Sequence, residues 1–122
     1  MSKIRVATLG IATIVVLAWA MPALAHHGRA AATVTVSAGK PSPFSFTLST
    51  KTVKHGVVTF KVKNAGVGLP HDFSINGKKT PQLAPGKSAT LTVTFAKAGS
   101  YAYKCTVPGH AAGGMKGTLK VT

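Results

Sequence analysis

Negative charge is almost missing from this sequence. Among 122 residues Asp72 is the only acid, and glutamate does not occur. Chemistry that needs two carboxylates is therefore excluded: glycoside hydrolysis by an acid pair, two-metal phosphoryl transfer and carboxylate calcium loops. Cysteine is as scarce. Cys105 stands alone, so no disulfide framework exists within the chain. The length holds one small domain and no second, and no internal repeat or useful helical period is visible. Arginine is thin as well: beyond residue 25 only Arg29 remains. Bidentate base readout lacks its usual side chain, and nucleic acid is not expected as a partner despite a net charge of +14.

What is present begins with a leader. Lys3 and Arg5 form a positive start, residues 6–20 are an apolar run broken only by Thr and Gly, and Ala23-Leu24-Ala25 is a small-residue cleavage site. Residues 1–25 are read as a signal peptide, so the mature chain is expected to begin at His26 and to be exported, periplasmic or secreted. An uncleaved anchor is the alternative, since residues 4–25 are long enough to span a bilayer. No cysteine follows the apolar run, which rules out a lipidated cysteine anchor. Losing Lys3 and Arg5 lowers the charge to +12. Cys105 and Met115 are then the only cysteine and the only methionine. Residues 26–31 are expected to be a flexible N-terminus and residues 32–122 the folded domain.

Within that domain the hydrophobic period is two. Strands are expected over residues 33–37, 44–48 (Phe44, Phe46 and Leu48 on one face), 57–63 (Val58, Phe60 and Val62 inward), 71–75, 89–95, 100–105 and 116–121. Turns are expected at His55-Gly56, Asn76-Gly77 and Ala98-Gly99, and loops over residues 64–70 and 106–115. Seven prolines and 13 glycines fit that many turns. The fold class is all-β, a sandwich or barrel. Lysines alternate with apolar residues along these strands, as Lys61 and Lys63 do around Val62, so they form a solvated face. Such charge serves solubility and the attraction of anions, or meets an acidic protein partner.

The chemistry is concentrated in one loop. Cys105, His110 and Met115 stand at C-x4-H-x4-M spacing between two strands, with His71 after Pro70 some thirty residues upstream. Two imidazoles and a thiolate with a weak thioether are the ligand set of blue-copper electron-transfer sites. Zinc gains little from the thioether, and a catalytic zinc would want a carboxylate base. Each residue alone has a plainer reading: a buried thiol, a core methionine, a turn histidine, a strand-end histidine. Together, the only Cys and only Met of the mature chain share one loop with a histidine, which favours a metal. His26-His27 offers an amine and imidazole chelate for a second copper, or is simply a solvated terminus. His55 reads as a turn residue.

Gly68-Leu-Pro-His-Asp72 together with Cys105-Thr-Val-Pro-Gly-His110 and Met115 resembles the single-domain cupredoxins, blue copper proteins of the plastocyanin, azurin and auracyanin kind, over about residues 32–122. The resemblance implies a Greek-key β-sandwich of about seven to eight strands. It implies one copper per chain, cycling between Cu(I) and Cu(II), on His71, Cys105, His110 and Met115. It implies one-electron transfer through the edge of His110, and no catalysis. Asp72 stands where relatives commonly have Asn. Asp72 and Val107 are expected to place backbone N–H groups on the Cys105 sulfur. Small and apolar residues around His110, namely Val67, Gly68, Leu69, Pro108, Gly109, Ala111, Ala112 and Gly113, are expected to form a docking patch for a redox protein. The expected chain is a monomer with at most peripheral membrane contact. A copper-delivery or copper-protection protein of the same compartment is the rival reading.

Overall fold

The structure, a computed structural model, describes residues 31–122 and the single residue Gly10. Apart from Gly10, the expected leader lies outside the described residues, as do His26 and His27. Nine strands follow in chain order: β1 Ala32–Ala38, β2 Phe46–Leu48, β3 Thr52–Val53, β4 Gly56–Asn64, β5 Ser74–Ile75, β6 Lys78–Lys79, β7 Ser88–Phe95, β8 Gly99–Lys104 and β9 Lys116–Val121. They form two sheets, ordered β2-β1-β4-β7 and β3-β9-β8-β5-β6. This is the all-β sandwich that the sequence pattern implies.

Alternation decides which face is buried. Along β4 the inward set Val58, Phe60 and Val62 is buried while Lys61 and Lys63 are exposed. The parallel neighbour β1 adds Val34 and Val36, and the antiparallel neighbour β7 adds Val93 and Phe95. The second sheet answers with Phe73, Ile75, Tyr103, Leu119 and Val121. Burying one such side chain stabilises the fold by about 1.5–3 kcal/mol. Across the seam Phe73 meets Phe60 at 5.1 Å and Phe46 at 5.4 Å between ring centroids.

Three expectations are corrected. The second strand begins at Phe46, not at residue 44, because Ser42 and Ser45 bond to each other locally and hold a turn there. Phe44 therefore leaves the core. The strand expected over residues 71–75 is regular only at Ser74–Ile75: the Phe73 N–H is taken by the Thr80 hydroxyl (3.1 Å), and His71 is held by an isolated bridge to Leu83. Cys105 lies just past β8. Two strands of two residues each, β3 and β6, were too short to show an alternation. At Asn76-Gly77 both residues have positive φ (50° and 73°), as a tight hairpin between β5 and β6 requires.

Candidate metal centre

The candidate site occupies the end of the sandwich where β8 stops and β9 starts. A nitrogen from each of His71 and His110 and the sulfur of Cys105 all lie within 4.8 Å of one another, and all three residues are buried. His71 Nδ1 is 3.2 Å from His110 Nδ1, and Cys105 Sγ is 3.6 Å from the same His110 atom. These are soft and borderline donors of the kind copper prefers, with no carboxylate among them.

Backbone hydrogen bonds close the ligand loop on itself. The Cys105 N–H donates to the Met115 carbonyl (3.0 Å), the Met115 N–H to His110 (3.1 Å) and the His110 N–H to Val107 (3.1 Å). Gly109 and Gly114 carry the positive φ values, 83° and 113°, that let the chain fold back this tightly. The result brings the thioether residue home: Met115 is fully buried in one cluster with Cys105 and Ala38.

His71 is fixed from the other side. Its N–H and C=O both pair with Leu83 (3.1 and 2.7 Å). Leu83 is held in turn by Asn64, whose side-chain amide donates to the Leu69 and Leu83 carbonyls (2.8 Å each) while its oxygen accepts the Gly66 N–H (3.0 Å). Asn64 is buried at the end of β4, although the sequence pattern places it at the start of a loop. A buried Asn with three satisfied bonds is a rigid brace.

Asp72 couples the two ligand-bearing segments. Its N–H donates to the Cys105 sulfur at 3.5 Å, and its carboxylate accepts from both the N–H and the hydroxyl of Thr106. Burial pushes the Cys105 thiol above its ordinary range, the backbone N–H groups of Asp72 and Val107 pull it back, and the Asp72 carboxylate raises it again. Of the two expected N–H groups, that of Asp72 hydrogen-bonds the sulfur directly. Burial also lowers the pKa of His71, the neighbouring His110 adds to that, and Asp72 opposes it. A neutral imidazole is the form that ligates a metal.

The expected docking residues spread around His110 unevenly. Val67 is 88% exposed, Gly68, Pro108, Gly109, Ala112 and Gly113 are exposed, and Leu69 and Ala111 are half-buried. His110 itself keeps 7% exposure against 1% for His71. Phe44, which the sequence pattern placed in the core, instead sets its ring edge against His110 at 5.0 Å and packs over Gly113. His55 bonds the carbonyl of Thr122 (3.0 Å), outside the site.

Known proteins agree with this geometry. A model of the copper binding proteins of the plastocyanin/azurin family matches residues 30–122. Auracyanin-B of Chloroflexus aurantiacus is 49% identical over 43 residues, covering 35% of this chain and 18% of that protein. The copper-resistant cuproprotein CopI of Pseudomonas aeruginosa is 54% identical over 39 residues, covering 32% and 22%. The chain thus spans about a fifth of the length of these curated relatives. Among solved structures, auracyanin B superposes with a TM-score of 0.63 at 27% identity, over 76% of this chain and 89% of that one. Rusticyanin from Thiobacillus ferrooxidans gives 0.63 at 27%, over 75% and 77%. His71, Cys105, His110 and Met115 form an arrangement of the type 1 copper kind, and with the family match running through the whole folded domain, the chain belongs to the plastocyanin/azurin family of copper binding proteins.

Proposed function

We propose that this protein is an extracytoplasmic one-electron carrier, with copper held by His71, Cys105, His110 and Met115. The metal, when bound, supplies a Cu(I)/Cu(II) couple. The observation that carries the reading is the convergence of three buried donors that are already braced by the protein: Leu83 holds His71, the Asp72 N–H holds the Cys105 sulfur, and the closed 105–115 loop holds His110 and Met115. Donors fixed in this way move little between oxidation states, which favours rapid transfer. Four protein ligands leave no open position for a substrate, and the only carboxylate is engaged by Thr106, so no substrate chemistry is assigned.

Export is read from the leader-like residues 1–25, the protein is taken to act as a monomer, and the rim of Val67, Gly68, Leu69, Pro108, Gly109, Ala111 and Ala112 around His110 is where a redox partner would dock. The surface lysines suit a redox partner with an acidic face. Similarity to CopI favours a second reading, copper protection or delivery. Reversible voltammetry with slow metal exchange supports the carrier, and rapid passage of Cu(I) to an acceptor supports delivery. The ligand assignment is tested by colour: the oxidised copper protein should be intensely blue or green, and Cys105→Ser should bleach it while keeping a weaker copper site. A colourless oxidised complex of the native chain overturns the assignment.

A further inference from the structure

A cavity of about 170 Å³ opens beside His71, lined by Gly39, Lys40, Pro41, Pro43, Val67 and His71 itself. His71 is 1% exposed, yet among the described residues its Nε2 makes no hydrogen bond, while Nδ1 faces His110. Among the described residues no side-chain nitrogen or oxygen is both sealed from solvent and unpartnered. Nε2 therefore meets solvent, and the cavity is the space it meets.

The wall next to that nitrogen is kept bare. Gly39 has φ 79°, and a Cβ there would stand 3.0 Å from His71 Nε2 and 2.8 Å from the Gly66 Cα. Any side chain at Gly39 would both strain the backbone and press on the ring. Pro41 and Pro43 have no N–H to offer. When His71 ligates through Nδ1 its proton sits on Nε2, which makes that atom a donor. The lining then includes an imidazole N–H and the exposed residue Lys40, whose ammonium is long enough to turn toward the opening, and no acidic side chain competes with them: Asp72, the only one, is committed to Thr106. Two donors, one charged, in a recess that excludes large molecules are the chemistry of a small anion.

We propose that this cavity binds a small inorganic anion, of the size range from chloride to phosphate, between His71 Nε2–H and Lys40. The inference rests on His71 ligating copper through Nδ1. An anion one imidazole ring away from the metal is attracted more strongly to the oxidised site, which carries one more positive charge. Binding therefore lowers the reduction potential, and oxidation tightens anion binding by the same factor.

The experiment uses the copper-loaded native chain, whose blue band first establishes the ligand set. Voltammetry at fixed pH and ionic strength, replacing a bulky sulfonate by chloride, nitrate or phosphate, should show a saturable fall in potential. A tenfold preference for the oxidised form corresponds to about 59 mV. Lys40→Gln should abolish saturation, whereas Lys97→Gln, in the turn at the far end of β8, should retain it. In the diamagnetic Cu(I) protein, nitrate should shift the amide resonances of Gly39 and Gly66 before others. A response that never saturates, or that is equal in the two lysine variants, is general screening and overturns the proposal while the blue band stands. Loss of the blue band in the native chain instead overturns the ligand reading beneath it.

Discussion

Replacing Asp72 by Asn tests how the only acidic side chain of the protein acts on the metal centre. The carboxylate is buried, accepts two hydrogen bonds from Thr106 and raises the Cys105 thiol pKa. Asn is nearly isosteric: its oxygen can keep the Thr106 N–H while its amide donates to the Thr106 hydroxyl, so the clamp between the two segments survives. What changes is one unit of charge. A unit charge about 7 Å from a bound copper, at an effective dielectric near 20, would stabilise Cu(II) over Cu(I) by about 2 kcal/mol. For one electron about 1.4 kcal/mol is 59 mV, and the Thr106 dipoles already offset part of the field. Asp72→Asn should therefore raise the reduction potential by about 50–100 mV. The assay is voltammetry of both proteins at one pH, with the visible spectrum recorded to show that the ligand set is unchanged. An equal or lower potential in the variant, with the same spectrum, refutes a charged carboxylate acting at this range.

The other predictions probe the bonds that hold the ligands. Val107→Pro removes an N–H that favours the Cys105 thiolate; thiolate hydrogen bonds withdraw electron density and favour Cu(I), so the potential should fall, and an unchanged or raised value with the blue band intact refutes the two-bond picture. Asn64→Ala strands the Leu69 carbonyl and the Gly66 N–H and leaves the Leu83 carbonyl with the His71 N–H alone, which should cost about 2–3 kcal/mol and lower Tm by on the order of 10–20 °C; a loss under about 1 kcal/mol in denaturant titration would show that Asn64 is not the brace. The metal-free chain should be most stable at intermediate pH. His71 has a folded pKa below 6.5, so the unfolded chain takes the proton first and stability falls as pH drops through that value; Cys105 has a folded pKa above 9.0, so the unfolded chain loses its proton first and stability falls as pH rises past it. A denaturation midpoint that stays flat from pH 5 to pH 10 contradicts both shifts.

Much of this was legible in the residues, because period-two alternation reports burial directly. Val58, Phe60 and Val62 and the run to Phe95 read as inward sets and are inward. The four site residues were legible because scarcity isolates them: a lone cysteine and a lone mature methionine around one histidine leave few other assignments. Phe44 defeated the same logic. It continues the alternation of Phe46 and Leu48, and only the local Ser42–Ser45 turn, a side-chain to backbone interaction invisible to a hydrophobic pattern, rotates it outward onto His110. Asn64 and Gly39 were missed for a related reason. Their work depends on long-range neighbours, Leu83 for one and Gly66 and His71 for the other, and no local spacing encodes those contacts.

The scarcity of acid has a consequence for metal selectivity as well as for potential. Cupric ion binds many carboxylate and imidazole surfaces, so a protein with one intended site gains from having no others. Among the described residues the cluster of His71, Cys105 and His110 is the only grouping of three metal-ligating side chains. The exposed charges there are lysines, such as Lys61, Lys63, Lys104 and Lys116. Each repels a free cation over a Debye length of about 8–10 Å at moderate salt. The single carboxylate is withdrawn from solvent and placed where it neither ligates nor attracts at the surface, but ties Thr106 to the residue after His71. The exposed lysines repel every free divalent cation alike, and discrimination falls to the donors: a cation that reaches the interior finds sulfur and imidazole together, a set that favours copper over hard divalent ions.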